Sequence, residues 1–176
     1  MPQTSALVLA LTKRSSTLLE VDSDLSILSA AFMQSTPQVQ NRILRAVQHT
    51  PLQGWSSIIQ AVQLADADSL QSIAKTYYSY TQIEKNCALA SLTRLAINGS
   101  TLAADMICKI AILYEDAAAL ARAKENAFLP ADQIQKAMFL FLTGRWEEYE
   151  AFDFNYTLLG AAYEAASPSV RQRILA

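Results

Sequence analysis

Residues 22–44 read DSDLSILSAAFMQSTPQVQNRIL, and residues 153–175 read DFNYTLLGAAYEAASPSVRQRIL. Set against each other at a constant offset of 131 without a gap, 9 of 23 positions are identical: Asp22/Asp153, Leu28/Leu159, Ala30/Ala161, Ala31/Ala162, Pro37/Pro168, Val39/Val170, Arg42/Arg173, Ile43/Ile174 and Leu44/Leu175. A random position matches about one time in fifteen at ordinary composition, so the likeness is not accidental. Within each stretch, an apolar helical stripe is followed by Thr-Pro or Ser-Pro and a second stripe. Thr36 or Ser167 then caps the second helix, and the proline takes its first position, where a missing N–H is harmless and the fixed φ is already helical. The repeated unit is therefore a helical hairpin with a joint of two or three residues.

Outward from this pair the pattern stays helical. Residues 4–13 predict a short first helix with Leu7, Leu11 and Val8 on one side, after which Ser15-Ser16-Thr17 breaks the pattern and a turn around Leu18 and Leu19 leads to Asp22. Asp22 or Asp24 offers the N-cap of a helix running to about Gln34. Past Pro51 and Gly54, Trp55, Ile58, Ile59, Val62 and Leu64 share an amphipathic helix. Asp66 or Asp68 caps the next, which carries Leu70, Ile73, Ala74, Tyr77 and Tyr78. Thr81 and Glu84 have capping-box spacing, and Asn98-Gly99 ends their helix. Ser100 or Thr101 starts a helix with Leu102, Met106, Ile110 and Leu113 inward. An alanine-rich helix follows over 117–127, then an apolar helix opened by Pro130 and closed by Gly144, and one or two turns over 146–152. Every gap is shorter than about eight residues, as antiparallel neighbours in a continuous stack require.

Composition agrees. The chain of 176 residues has 52% hydrophobic and 17% charged residues, 4 glycines and 5 prolines. Helices that touch neighbours on more than one face have such a makeup, whereas an all-β fold needs more turn residues. One domain over 1–176 is the expectation from length. The repeated pair with its opening prolines resembles HEAT or armadillo-type α-solenoids, and three units of about 44 residues would fit both the offset and the HEAT/armadillo period of about 40–47. The stretch FLFLTGRWEEYEAFDF (139–154) is similar to helical-repeat stretches of large bacterial multidomain proteins. The resemblance implies an all-α, right-handed solenoid of nine or ten helices that binds other proteins, with no catalytic residues and no cofactor.

Charge narrows the partners. A net charge of -2 leaves no basic field for nucleic acid. The longest apolar stretch, 101–113, is interrupted by Asp105 and Lys109 and is too short to span a membrane. Cys87 and Cys108 belong to no CxxC pair, and one histidine, His49, cannot complete a zinc set, so buried free thiols in a reducing, cytoplasmic setting are expected. Tyr77, Tyr78 and Tyr80 lack the basic track of a nucleobase-stacking platform. Arg42 and Arg173 are expected to pair with Asp22 and Asp153.

Eight of the fifteen aromatic residues fall within 139–163, interleaved with Glu147, Glu148, Glu150 and Asp153. Trp146 and Tyr149 share one helix face and Glu147 and Glu150 a neighbouring one. Trp146, Glu147, Tyr149, Glu150 and Asp153 are thus the candidate partner-binding residues, an aromatic floor with an acidic rim for a basic or amphipathic protein or peptide segment. The competing account is a core cluster with a solvated acidic edge. A compact bundle binding a small apolar ligand is the alternative from another class, and an all-α enzyme the third. Because the second copy of the pair stops two turns into its second helix, the chain is also expected to be a fragment of a longer array, or to self-associate through that end.

Overall fold

The computed structural model describes residues 2–176, which divide into two compact units, 2–98 and 99–176. The first contains α1 (Pro2–Leu11), α2 (Ser15–Val21), α3 (Ser26–Met33), α4 (Pro37–Val47), α5 (Gln53–Leu64), α6 (Ala67–Thr76), a 3-10 turn (Tyr77–Ser79) and α7 (Gln82–Ile97). The second contains α8 (Thr101–Leu113), α9 (Ala117–Glu125), α10 (Gln133–Leu142), α11 (Trp146–Phe152), α12 (Thr157–Ala165) and α13 (Pro168–Leu175). The described residues thus form an all-helical protein of thirteen α-helices in which neighbours pack on one another, more helices than the nine or ten read from sequence. The surplus comes from short elements. Ser15, Ser16 and Thr17 do not break the chain but form the first turn of α2, where amides have no intrahelical partner and a serine or threonine costs little.

Most of the predicted starts and stops hold. Thr36, Asp66 and Ser100 accept hydrogen bonds from the amides of Val39, Ser69 and Ala103, and Thr81 with Glu84 forms the reciprocal capping box. Gly99 and Gly144 take left-handed backbone at φ 103° and 70°. Pro130 does not open α10: Asp132 caps it, with Oδ1 2.9 Å from the Gln135 amide. On α1 the fully buried residues are Ala6 and Ala10, Leu7 and Leu11 of the expected stripe are half-buried, and Val8 is 52% exposed. Two alanines four apart let α1 approach α3 and α4 closely, and that contact outweighs the burial of larger side chains.

Helix boundaries carry the offset of 131 beyond the stretch that shows it in sequence. α1 and α10 coincide at both ends at that spacing, as do α2 and α11, while α3/α12 and α4/α13 share their starts. With this register, Ala6/Ala137, Leu9/Leu140, Leu11/Leu142, Thr12/Thr143 and Arg14/Arg145 are further identities. The bonding follows. Thr12 and Thr143 donate to the carbonyls of Val8 and Phe139 at 2.8 and 2.7 Å, and Gln40 Nε2 and Arg171 Nε donate to those of Phe32 and Tyr163, both at 2.9 Å.

Asp22 and Asp153 illustrate the shared architecture best. Neither is an N-cap: α3 and α12 are entered through left-handed Leu25 (φ 55°) and Tyr156 (φ 58°), a costly backbone for a large side chain. Each aspartate reaches over that residue and caps two amides at once, Asp22 those of Ile27 (3.1 Å) and Leu28 (2.8 Å), Asp153 those of Leu158 (3.2 Å) and Leu159 (3.0 Å). Both are buried, and these bonds offset the backbone strain. The expected pairing with Arg42 and Arg173 is replaced by this capping. Both arginines are exposed, and among the described residues neither forms an ion pair.

A candidate interaction surface on α11

Helix α11 is seven residues long, and its position is set by the packing of its inward side on α10. Tyr149 is 1% exposed and joins Ala137 and Leu140 in a core cluster to which Leu129, Phe141, Phe152, Leu158 and Leu159 add partly buried surface. Phe141 meets two aromatic rings edge-on, Trp146 at 4.9 Å between centroids and Tyr149 at 5.7 Å. Trp146 and Tyr149 therefore do face the same neighbour, as their spacing of three predicts. Their exposures nevertheless differ: Trp146, at the first position of the helix, is 53% exposed.

Tyr149 and Asp153 are partners of each other. The tyrosine hydroxyl donates to Asp153 Oδ2 at 2.7 Å, and Asp153 is 4% exposed. Burial pushes the Asp153 carboxyl up, but hydrogen bonds from Tyr149 and from the amides of Leu158, Leu159 and Thr157 outweigh it and hold the group below the usual carboxylate range. Burial, together with the bond to Asp153, raises the Tyr149 phenol. This pair belongs to the helix-entry capping described above and is not open to a partner.

What remains at the surface is Trp146, Glu147, Glu148 and Glu150. Arg145 lies just before α11 and clasps Glu148 with two hydrogen bonds, Nε to Oε1 at 2.7 Å and Nη2 to Oε2 at 2.5 Å. These bonds hold the Glu148 carboxyl below its ordinary value. Among the described residues no ion pair involves Glu147 or Glu150. Trp146 borders two surface depressions, one shared with Gly144, Arg145, Glu147 and Glu148, the other with Lys124, Phe141, Leu142 and Ile174. Of the five residues singled out in sequence, then, Trp146, Glu147 and Glu150 form a surface, and Tyr149 and Asp153 support it from beneath.

A separate apolar cleft of about 180 Å3 is lined by Ile112, Leu113, Ile134, Met138, Ala162 and Val170. Periodicity could not reveal it, because it lies where α8, α10, α12 and α13 meet. Cys87 and Cys108 are fully buried free thiols, and burial pushes each up to about 12, so neither is a nucleophile at neutral pH. His49 is exposed in left-handed backbone at φ 60° just after α4, and its amide donates to Gln53 Oε1 at 3.3 Å. Tyr77 is buried and Tyr78 79% exposed, so they share no stacking platform. Among the described residues, no three or more His, Cys, Asp or Glu side chains converge as a metal site, and no helix is long and apolar enough to cross a membrane. No protein-family model, curated protein or solved structure matches the chain.

Proposed function

We propose that the chain is a non-enzymatic protein-interaction module, a scaffold or regulatory array built as a right-handed α-solenoid of HEAT or armadillo type. The observation that carries the reading is the half-exposed Trp146 at the head of α11, between two depressions and beside the carboxylates of Glu147 and Glu150. A large aromatic held edge-on by Phe141 is already ordered, so a partner gains its contact area at little entropic cost. The adjacent carboxylates favour a basic or amphipathic segment and disfavour an acidic one. The helix-for-helix correspondence between residues 2–44 and 133–175 supports an array of like units.

The test is affinity capture of a partner followed by titration with the Glu147→Lys/Glu150→Lys variant. Both positions are exposed, so helicity and melting should hold while affinity falls at least about tenfold. Unchanged affinity overturns the assignment. Elongated dimensions in small-angle scattering would support the solenoid, and compact ones would count against it. The cleft lined by Met138 favours the second reading, a small apolar ligand. A Met138→Trp variant that fills the cleft and leaves partner affinity intact would separate the two.

A further inference from the structure

The apolar cleft bordered by Ile112, Leu113, Ile134 and Met138 lies wholly within the second unit, and its walls differ from the corresponding places of the first. At the offset of 131, Ile134 corresponds to Gln3, Ala165 to Gln34 and Ala166 to Ser35. Three polar side chains of the first unit are thus apolar in the second, and two of them are cut back to a methyl group. Helix α8 closes the cleft with Ile112 and Leu113, and Met138, Ala162 and Val170 form a buried cluster beneath it. At the mouth, Leu113 is 64% and Ile134 36% exposed, two large apolar side chains that a ligand would cover. One polar group on the lining has no use in the fold. Gln135 Oε1 is buried with no hydrogen-bond partner among the described residues, while only the Gln135 backbone N–H serves the Asp132 cap. Ser167, the other polar residue of the walls, accepts the Val170 amide and bonds to Ser169, which donates to Glu115. A buried acceptor without a donor is costly, because it has given up water and gained nothing in return.

We infer that this cleft binds a neutral, ring-sized alcohol or phenol, its ring against Met138 and Val170 and its hydroxyl donating to Gln135 Oε1. The cleft of about 180 Å3 has room for one six-membered ring, since an apolar cavity of about 150 Å3 takes up benzene. The terminal torsion of a glutamine is broad, so a turn of the amide carries Oε1 to the hydroxyl. The unbranched thioether of Met138 adapts to the outline of the ring. No charged residue lines the walls, so an ammonium or a carboxylate would lose its hydration without finding a counter-charge. A pure hydrocarbon fills the same space but leaves Oε1 unpaired. The inference rests on the apolar-ligand reading of the cleft and adds the group that selects among such ligands. It uses no residue of α11.

The probes are phenol and toluene, which differ by a hydroxyl in place of a methyl group, titrated into the full chain carrying 13C at its methionine methyls. Phenol should shift the Met138 signal saturably below about 1 mM and leave that of Met33, in the first unit, where it is. It should also bind more tightly than toluene, although toluene gives up less hydration on entering an apolar site. Gln135→Leu keeps the backbone cap and should weaken phenol at least about tenfold while toluene stays within about twofold, so that the order reverses. Ala165→Gln/Ala166→Ser places the first unit's residues on the wall and should abolish the Met138 shift with helicity retained. Glu147→Lys/Glu150→Lys should bind phenol as the wild type does, which separates the cleft from α11. Toluene bound more tightly than phenol by the wild type, or an order that survives Gln135→Leu, would overturn the hydroxyl assignment and leave the apolar-ligand reading of the cleft standing. Binding of neither compound would overturn both, as would a Met138 shift that persists in Ala165→Gln/Ala166→Ser.

Discussion

At the residue scale, Asp153 joins the fold to its pH dependence. It caps two amides and accepts the Tyr149 hydroxyl, so Asp153→Ala strands one buried and two half-buried donors and should cost about 2–3 kcal/mol in denaturant unfolding. Its folded pKa lies below the unfolded value of about 3.9, so its contribution is complete above that value and fades as pH falls through the folded pKa. Asp153→Asn should therefore flatten the stability profile below about pH 4 and leave its shape near neutrality unchanged. Gly54 offers a second test. A Cβ there would lie 1.8 Å from Glu84 Oε1, the carboxylate that completes the Thr81 capping box. Helix propensity alone says Gly54→Ala gains about 1 kcal/mol. Displacing Glu84 loses a comparable amount, so a double-mutant cycle with Glu84→Ala should show coupling of about 1 kcal/mol, and additive effects would refute the clash.

At the element scale, two tryptophans sit at comparable places on short helices with opposite consequences. Trp55 is fully buried in α5, with Phe32 edge-on and Ser29 as acceptor, so Trp55→Ala should cost about 3–5 kcal/mol by chemical denaturation. Trp146 heads α11 half-exposed, and Trp146→Ala should cost about 1 kcal/mol or less, its main effect being on binding. Comparable losses at both positions would mean that Trp146 is a core residue and would remove the surface assignment. The contrast was not legible locally. Both residues stand in the first turn of their helices, and only the neighbours brought by other helices, α3 for one and α10 for the other, determine which ring is covered.

At the scale of the whole chain, each unit carries its own buried thiol, Cys87 in the first and Cys108 in the second. Both are raised to about 12 by burial, and a thiol reagent attacks the thiolate. Native protein should remain unlabelled at neutral pH, and a denaturant series should release the two thiols at the midpoints of their respective units. Rapid native labelling of either would contradict the packing around it. Cys87→Ser and Cys108→Ser variants assign each midpoint to its unit.

The amino-acid sequence by itself determined the helical class, most of the caps, the proline-opened helices and the likeness of 22–44 to 153–175. These are properties of spacing and of short-range hydrogen bonding: Thr36, Asp66 and Glu84 satisfy amides within three residues of themselves. The tertiary structure decided whatever depends on partners distant in the chain. It extended the correspondence to α1 and α10, which coincide at both ends but share only scattered identities. It withdrew Tyr149 and Asp153 from the surface, since a tyrosine and an aspartate four apart can bond to each other as readily as to a partner. And it alone covered Trp55 and left Trp146 half-exposed, because burial belongs to the helix that arrives opposite and is not encoded in the face that receives it.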